Sequence, residues 1–524
     1  MGNSMKILEI TEFDLYGRGF NGYDLMKQIN RETSSTAKMA ALRKISDDSD
    51  VIPILKKERE ILLCDELRYQ ESRYLNVMSV LSVSSPALYE LKEYKEADIV
   101  HYHQFHNSNF GFFELEREAK RKPTVISFHD PWMLTGRCVH PGGCRKYAKG
   151  CIGCERLGTL FPFGEDMSAA MWKIKRDMFA ASDPDIIVHS EYMYDLVKEN
   201  PYTKDLNVHL IPFGIDVSEF TFKKTKAEAR ESLGIPEGDF VLFFRAQADF
   251  KGTSYIVDAL KRFEDPQSVT LLACSQTGLL DEISDRFNII ELGNVQSEVI
   301  KECFNACDVF LMPSIGESFG LMALEAMAAG KPVVVFDNTA LPWVTNAPEV
   351  GVLVKNLDSE DLYEKIKWLY DDKDERIRRG EAGRELAKSR YSPDEYKRKM
   401  NEVYSAAAER QKYKLQKRRE ESTPDINDIE VRKLVFHLNG IFKRTFGKSG
   451  GNIKLLSAVS EQSCDAHEID YENKNVKEAV MLFNAQCRRF MRSKKPFLFL
   501  RRKIKGALRR AFGLLKRIAK KIFK

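Results

Sequence analysis

The stretch that most constrains the fold is residues 313–337, PSIGESFGLMALEAMAAGKPVVVFD. The Ala, Met and Leu residues of 321–329 predict a tightly packed helix after a polar turn. Gly330 is expected to end this helix, and the apolar run 333–336 predicts a buried parallel strand. A turn, a helix and a buried parallel strand in this order are typical of half a βαβ unit, so the chain is expected to contain an α/β domain.

The start of the same helix is a candidate anion site. Its first amides belong to Ser318, Phe319, Gly320 and Leu321. A helix start exposes unpaired N–H groups and a partial positive charge, which suits a phosphate. Glu317 precedes these amides and Glu325 follows eight residues later. Carboxylates bind hydroxyls well because both oxygens accept hydrogen bonds, so the ligand is expected to carry phosphate and hydroxyl groups. The alternative is a packing helix with two solvated glutamates.

A basic pair follows another apolar run. Residues 240–245, FVLFFR, predict a strand that ends in Arg245, and Lys251-Gly252 comes six residues later. Ligands of open α/β sheets bind beyond the carboxyl ends of the strands. Two cations at that edge would suit a ligand that carries phosphate groups.

A glycine-rich turn follows the first predicted strand, 5–10. Gly17, Gly19 and Gly22 precede a helix that is expected to begin near Tyr23. This arrangement indicates the first βα turn of a Rossmann-like unit, although the spacing is not that of a dinucleotide site. Each glycine could also serve only a tight turn that needs a positive φ.

Histidines cluster at the ends of two further predicted strands. In DIVHYHQF (98–105), His101 and His103 share one face by their period of two, and His106 follows in the loop. His103 and His106 are expected to line a cleft, whereas a metal site is the weaker interpretation. The strand TVISFHD (124–130) carries His129 at its carboxyl end.

Four of the ten cysteines are clustered. Cys138, Cys144, Cys151 and Cys154 have the spacing C-x5-C-x6-C-x2-C. A closing C-x2-C is half of a zinc knuckle, and close cysteines favour metal over disulfides in a reducing compartment. We expect a structural Zn²⁺ in this loop, with reduced thiols as the alternative. The loop is also basic, so it is expected to face a phosphorylated acceptor or lipid head group.

Taken together, these motifs resemble the retaining glycosyltransferases of family 4, which have the GT-B fold. The resemblance rests on Glu317-x7-Glu325 with its flanking residues, Arg245-x5-Lys251-Gly252, and IP-x-GID at 211–216. A subset of that group carries HD-x-W-x-x-TG-x-C before clustered cysteines, as residues 129–154 do. The resemblance covers roughly residues 5–410. It departs from the common pattern at Phe244, where the group often has glycine.

The resemblance implies a role for each candidate residue. His129 would face the donor sugar across a cleft, and Glu317 would bind the sugar hydroxyls. Arg245 and Lys251 would hold the nucleotide diphosphate, while Glu325 would bind the ribose. Further donor contacts are implied for Gly19, Gly22, Ser275, Val295 and the amides of 318–321. No cofactor is required for catalysis in this scheme, because the cations and the helix start supply the charge.

The resemblance, together with charge and helical periodicity beyond residue 410, divides the chain into parts. Residues 1–216 are expected to form a Rossmann-like acceptor-side domain that contains the Cys-rich loop 138–154. Residues 217–395 would bind the nucleotide sugar, and 396–430 would form a crossover helix and a charged linker. Residues 431–493 read as a helical extension of unknown role, and 494–524 as a separate terminal helix.

The terminal segment carries the chain's positive charge. Residues 494–524 hold thirteen Lys and Arg and no Asp or Glu, so removing them from the net charge of +5 leaves the remainder acidic. At 100° per residue, its apolar and basic side chains fall on opposite sides, which predicts a basic amphipathic helix on an anionic membrane surface. A packed terminal helix and an RNA-binding arm are the alternatives, but the unbroken apolar face argues against nucleic acid.

These patterns predict an enzyme that moves a sugar from a UDP- or GDP-linked donor to a polysaccharide or lipid-linked glycan. The N-terminus lacks the apolar segment of a secretory signal, so we expect a cytoplasmic protein at the inner face of the membrane. A sugar-nucleotide epimerase on the same fold and a non-catalytic membrane scaffold are the alternative functions.

Overall fold

The computed structural model describes residues 4–103, 110–156, 164–248, 250–264, 266–412, 424–446, 454–459 and 461–492. Within them the chain forms two parallel sheets flanked by helices, which confirms the predicted α/β fold. His106 and the terminal segment 494–524 lie outside the described residues. In the part that is described, no helix combines the length and apolar character needed to cross a membrane.

The first sheet contains seven strands among the described residues, in the order β3-β2-β1-β4-β5-β6-β7. The strands are β1 (Lys6–Phe13), β2 (Thr36–Arg43), β3 (Val51–Pro53), β4 (Ile99–Tyr102), β5 (Thr124–Ser127), β6 (Asp185–Val188) and β7 (Val208–Leu210). The helices around it are α1 (Tyr23–Glu32), α2 (Glu58–Tyr74), α3 (Ser84–Glu90), α4 (Lys92–Glu96), α5 (Phe112–Ala119), α6 (Ser168–Ser182) and α7 (Glu191–Glu199).

The second sheet repeats this winding with six strands in the described part, in the order β10-β9-β8-β11-β12-β13. The strands are β8 (Phe240–Ala246), β9 (Val269–Ser275), β10 (Asn288–Glu291), β11 (Val309–Met312), β12 (Val333–Phe336) and β13 (Val352–Val354). Its helices are α8 (Lys226–Ser232), α9 (Thr253–Leu260), α10 (Ser297–Ala306), α11 (Leu321–Ala328), α12 (Leu341–Thr345), α13 (Ser359–Asp371) and α14 (Lys373–Arg390).

Each sheet has a switch point, the place where the strand order reverses. In the first sheet β1 lies beside β4, with Glu9 opposite His101 in register. In the second sheet β8 lies beside β11. Loops that leave a switch point diverge to opposite faces of the sheet and open a crevice, which is where ligands bind in such folds.

A long helix returns the chain from the second domain to the first. This helix, α15 (Pro393–Lys412), packs against α1, β4 and β5. Its Tyr404 is fully buried and donates a hydrogen bond to Glu9 over 2.8 Å. One apolar cluster contains residues of both sheets together with α15, so the two domains share part of a core.

The helical extension belongs to the core of the first domain. It consists of α16 (Ile429–Phe446), α17 (Lys454–Ala458) and α18 (Lys474–Arg492) in the described residues. These helices contact α2, α3 and α5 and share one apolar cluster with the first sheet. Buried Asn484 donates to Glu114 over 2.8 Å and to the Val80 carbonyl over 3.1 Å. The extension therefore covers a face of the first domain.

Candidate active site

An ion pair occupies the switch point of the second sheet. The Lys251 ammonium follows β8 and lies 2.5 Å from a carboxylate oxygen of Glu317, which follows β11. Both side chains are about 15% exposed. Burial alone would raise the pKa of Glu317, but the charge and hydrogen bond of Lys251 outweigh it and lower that pKa below its ordinary value. Lys251 and Glu317 are therefore in contact, while the roles toward a donor that the resemblance implies for them stay predictions.

Glycine at position 252 allows the two loops to meet. Its φ is +77°, and a Cβ there would lie 1.9 Å from the Pro313 carbonyl oxygen. The loops are also joined by hydrogen bonds from the amides of Ile315 and Gly316 to the Phe250 carbonyl, over 2.8 and 3.3 Å. A side chain at 252 would separate Lys251 from Glu317, because the clash is with backbone.

Arg245 and Glu325 both act electrostatically on one thiol, that of Cys274. Burial raises the pKa of Cys274 to about 11, the positive charge of Arg245 opposes this shift, and the negative charge of Glu325 adds to it. Arg245 is exposed near the end of β8, while Glu325 on α11 is partly open to solvent. Burial raises the pKa of Glu325 to about 7. A cation and a weakly ionised carboxyl thus line the same edge of the sheet as Lys251.

The predicted anion site is the start of α11. The helix begins at Leu321, after Gly320, whose φ is +100°. The first amides of a helix have no partner within it. The Ser318 hydroxyl is buried, and among the described residues no hydrogen-bond partner reaches it. Amides, a hydroxyl and the nearby Lys251 ammonium form a set of donors suited to phosphate oxygens.

Ser275 and Val295 border this edge farther along the sheet. Ser275 ends β9 with a φ of +88°, and its amide donates to the Gly293 carbonyl over 2.7 Å. A non-glycine residue in the left-handed region is a source of strain that is common at ligand sites. Val295 follows β10 and is half-buried. Their predicted contacts with the donor base stay predictions.

The first domain presents stacked histidines on its side of the cleft. His103, His129 and His189 follow the neighbouring strands β4, β5 and β6. The ring of His129 stacks on His103 and on His189, with centroid distances of 5.3 Å in both cases. His129 also lies 6.0 Å from the Phe213 ring, which contacts Phe319 of the anion site at 5.1 Å. His129 is therefore placed near the second domain, and the role toward the donor sugar that the resemblance implies for it stays a prediction.

Two cross-domain contacts were missed by the sequence analysis. The Ser190 hydroxyl caps α7 and donates to the Ser318 carbonyl over 2.6 Å. His140, in the Cys-rich loop, packs on the Phe250 ring at 4.6 Å and against Gly316. The positive charge of a protonated His140 would also favour the Glu317 carboxylate. Nothing in the sequence pairs these positions, since each contact joins segments more than one hundred residues apart.

The two predicted glycines differ in their surroundings. Gly22 has a φ of +91°, and a Cβ there would lie 2.8 Å from both Glu9 and His103. Gly19 has nothing within 4 Å of such a Cβ. Only glycine fits at position 22, because any side chain there would clash with Glu9 and His103, whereas position 19 has open space around it.

The four clustered cysteines are half-buried in one loop. Burial raises the pKa of Cys151 to about 11 and also raises that of Cys138. The described groups whose ligand atoms gather within 4.8 Å are Glu9, His101 and His103, and Asp465, His467 and Glu468. Among the described residues the cysteine sulfurs form no such group, and the zinc site stays a prediction.

Family models match both domains. The model described as Glycosyltransferase Family 4 matches residues 71–219, and Glycosyl transferases group 1 matches residues 225–386. Together they span more than half of the 524 residues. The chain belongs to glycosyltransferase family 4.

Relatives of this family 4 glycosyltransferase agree with that assignment. D-inositol 3-phosphate glycosyltransferase of Xylanimonas cellulosilytica is 26% identical over 60% of the chain and 73% of that protein. The protein of the same name from Corynebacterium kroppenstedtii is 30% identical over 37% of the chain. The chain spans 47% of that relative, so these matches do not fix a substrate.

Solved structures share the fold of the glycosyltransferase. Sucrose-phosphate synthase from Thermosynechococcus elongatus superposes with a TM-score of 0.56 at 18% identity, over 77% of the chain and 98% of that structure. HepE from Anabaena, solved in complex with UDP-glucose, gives a TM-score of 0.54 at 16% identity, over 77% of the chain and all of that structure. At these identities the likeness supports the GT-B fold alone.

Proposed function

We propose that this glycosyltransferase transfers a sugar from a UDP- or GDP-linked donor to a polysaccharide or lipid-linked glycan, with retention at the anomeric carbon. The observation that carries the proposal is the Lys251–Glu317 pair at the switch point, beside the start of α11. The pair offers a cation for the diphosphate and a carboxylate for sugar hydroxyls within one crevice. HepE, a structure with the same fold, was solved with UDP-glucose, which supports a nucleotide-sugar donor.

In the proposed reaction the bond between the anomeric carbon and the diphosphate oxygen breaks. An acceptor hydroxyl oxygen bonds to the anomeric carbon, and its proton passes to the leaving diphosphate. Arg245, Lys251 and the amides of 318–321 would stabilise the charge that develops on the diphosphate. His129 and Glu317 would orient the sugar, while Glu325 would bind the ribose. No metal is needed to stabilise the leaving group in this scheme.

Release of the nucleotide tests this proposal. Purified protein is incubated with UDP- and GDP-linked sugars, with and without a membrane extract, and free UDP or GDP is measured. We expect release with one class of donor, increased by the acceptor in the extract. Anomeric retention is read from the linkage of the product by NMR. Absence of release with every donor, under conditions where the protein is folded, would overturn the proposal.

The epimerase and scaffold alternatives are not favoured by the comparisons, because the matched relatives carry glycosyltransferase names. The same assay separates them. An epimerase would convert one nucleotide sugar to another without acceptor-dependent release, and a scaffold would do neither.

Membrane attachment through 494–524 is a further part of the proposal. The support is the thirteen cations without an acidic residue in this segment, which suit anionic lipids. The protein would then work at the cytoplasmic face of the membrane, where a lipid-linked acceptor is held. Deleting 494–524 should move the protein to the soluble fraction and reduce binding to vesicles of phosphatidylglycerol. Unchanged fractionation would remove this part.

A structural zinc ion in the Cys-rich loop is proposed on the sequence spacing. Cys138, Cys144, Cys151 and Cys154 would hold it as thiolates, and it would brace the loop that places His140 beside Phe250. Elemental analysis of purified protein should find about one zinc per chain. Substituting Cys154 by Ser should lower that content, and a wild-type protein without stoichiometric metal would contradict the proposal.

A further inference from the structure

A buried carboxylate lies behind the candidate active-site histidine. Glu9 on β1 is fully buried, and His103 is 1% exposed. A carboxylate oxygen of Glu9 lies 2.8 Å from Nε2 of His103, and Nδ1 of His103 lies 3.0 Å from Nε2 of His129. The three side chains form an unbroken row that leads from the core of the first domain to the cleft.

The row fixes which nitrogen carries each proton. An ionised carboxylate only accepts hydrogen bonds, so His103 must donate to Glu9 through Nε2–H. A neutral His103 then has only a lone pair on Nδ1, and His129 must donate to it through Nε2–H. Two features support these states. Burial would raise the pKa of Glu9, but its interactions with His101 and His103, hydrogen bonds among them, lower that pKa to about 2. Burial lowers the pKa of His103 to about 4, so its ring is neutral near pH 7.

The remaining partners of Glu9 agree with this assignment. Tyr404 of α15 donates to the other carboxylate oxygen over 2.8 Å. His101 lies 2.9 Å from Glu9 through Nδ1 and 2.8 Å from the Ser127 hydroxyl through Nε2. Ligands of a tetrahedral zinc ion with bonds of about 2.0–2.1 Å stand more than about 3 Å apart. The distances of 2.8 Å from Glu9 to His103 and 2.9 Å from Glu9 to His101 are therefore hydrogen-bond distances and do not fit tetrahedral zinc.

We propose that Glu9 and His103 are positioning residues that hold His129 in its Nε2–H tautomer, so that its ring orientation and its Nδ1 lone pair are set for the transfer reaction. The proposal rests on the transferase function proposed above. It adds that the site extends, through His103, to a residue of β1 that touches neither donor nor acceptor. A buried carboxylate that orients a histidine in this way has a large effect on rate in enzymes in which the histidine acts on substrate.

Nitrogen NMR tests the proton positions without any need for activity. The chain with ¹⁵N-labelled histidine has nine histidines, and single substitutions of His103 and His129 assign their signals. We expect both rings as Nε2–H tautomers in the wild-type chain. Glu9→Gln replaces one acceptor oxygen by a donor, so the signals of both rings should shift or become mixtures of tautomers. His129 in the Nδ1–H form, or ring signals that Glu9→Gln leaves unchanged, would overturn the proposal.

A matched control comes from another buried carboxylate with the same kinds of partner. Asp185 on β6 contacts His209 over 2.9 Å and accepts from Arg410 of α15 over 2.7 Å. It lies at the amino end of its strand, whereas His129 follows the carboxyl end of β5. Asp185→Asn should lower thermal stability and leave the His129 signals unchanged. If it shifts those signals as much as Glu9→Gln does, the effect is general loosening of the domain and the proposal fails.

A double-mutant cycle on transfer then shows whether Glu9 acts through His129. We expect Glu9→Gln to lower kcat at least about 10-fold in the wild-type background and to have little further effect on His129→Ala. Losses that multiply would mean that Glu9 acts independently of His129. A wild-type chain that releases no nucleotide with any donor would defeat the proposed function, and the NMR result would still decide the proton positions.

Discussion

Ser190 of the first domain donates a hydrogen bond of 2.6 Å to the backbone carbonyl of Ser318 in the second. The same hydroxyl accepts from the Met193 amide and so caps α7. One side chain therefore caps the start of a helix in one domain and contacts the anion-site turn of the other. The hydroxyl thus makes one hydrogen bond within the first domain and one across the cleft.

Ser190→Ala should remove both the cap of α7 and the hydrogen bond to the Ser318 carbonyl. We expect a loss of about 1–2 kcal/mol in the free energy of unfolding, since a helix cap and a buried hydrogen bond are removed. Closure over the donor should also suffer, so kcat/KM for transfer should fall several-fold. Asp358→Ala is the control, because Asp358 caps α13 through the amides of Glu360 and Asp361. It should cost similar stability in urea unfolding and leave kcat/KM unchanged; equal kinetic losses would contradict the prediction.

Lys251→Ala should lower kcat by about 100-fold, because one of the cations that stabilise the departing diphosphate is lost. The substitution also leaves the mostly buried Glu317 carboxylate without its ion-pair partner. Lys261→Ala is the matched control, since Lys261 pairs with Glu282 over 2.6 Å on the exposed surface of the same domain. Steady-state nucleotide release from both variants checks this. A Lys251→Ala enzyme that keeps full turnover would exclude the proposed role.

Glu325→Gln should stabilise the unliganded protein at high pH. Burial raises the pKa of Glu325 from an ordinary 4.5 to about 7, so between these values the folded chain holds a proton that the unfolded chain has released. Stability contributed by this group is therefore lost as pH rises through that window. Because the side chain is partly open to the cleft, we expect a gain of roughly 1–2 kcal/mol at pH 8 and almost none at pH 4.5.

Chemical unfolding at the two pH values measures this difference, with Glu282→Gln as an exposed control. The same Glu325→Gln variant should bind UDP or GDP more weakly, because the carboxylate proposed to hold the ribose is gone. If the difference in free energy of unfolding between the variant and the wild type is the same at both pH values, ionisation of Glu325 does not destabilise the folded protein, which contradicts the prediction.

Gly22→Ala and Gly19→Ala should differ sharply in stability. A methyl at position 22 would meet Glu9 and His103 at 2.8 Å on a backbone with positive φ, whereas position 19 has open space. We expect Gly22→Ala to cost about 1–3 kcal/mol and Gly19→Ala to keep the free energy of unfolding within about 0.5 kcal/mol. Urea unfolding of the two variants decides this, and equal losses would contradict the surroundings described for Gly22.

The second domain was largely predictable from sequence because its signals are local. The apolar run of β12 and the positive φ of Gly330 fall within one βα unit, and that unit also carries Glu317. Lys251 was predictable for the same reason, since a cation followed by glycine comes directly after β8. A pattern of this kind places a residue at the carboxyl edge of a sheet without any knowledge of distant segments.

The burial and the contacts of Glu9 could not be predicted from the sequence. It lies in the strand KILEITEF, was not singled out as a candidate from the sequence, and is fully buried. Its partners are 92 to 395 residues away, and only the fold brings them together. His140 and Ser190 were missed for the same reason. The packing of α16 and α18 could not be predicted either, because a helical period predicts an apolar face but not the surface that the face covers.

The place of the extension has a consequence for synthesis. Residues of α16 and α18 complete an apolar cluster with β1, β4 and β5, strands that leave the ribosome hundreds of residues earlier. An apolar surface of the nascent first domain therefore stays exposed while the whole second domain is translated. A chaperone that holds this surface, or early docking of the two sheets, would govern the yield of functional enzyme in the cell.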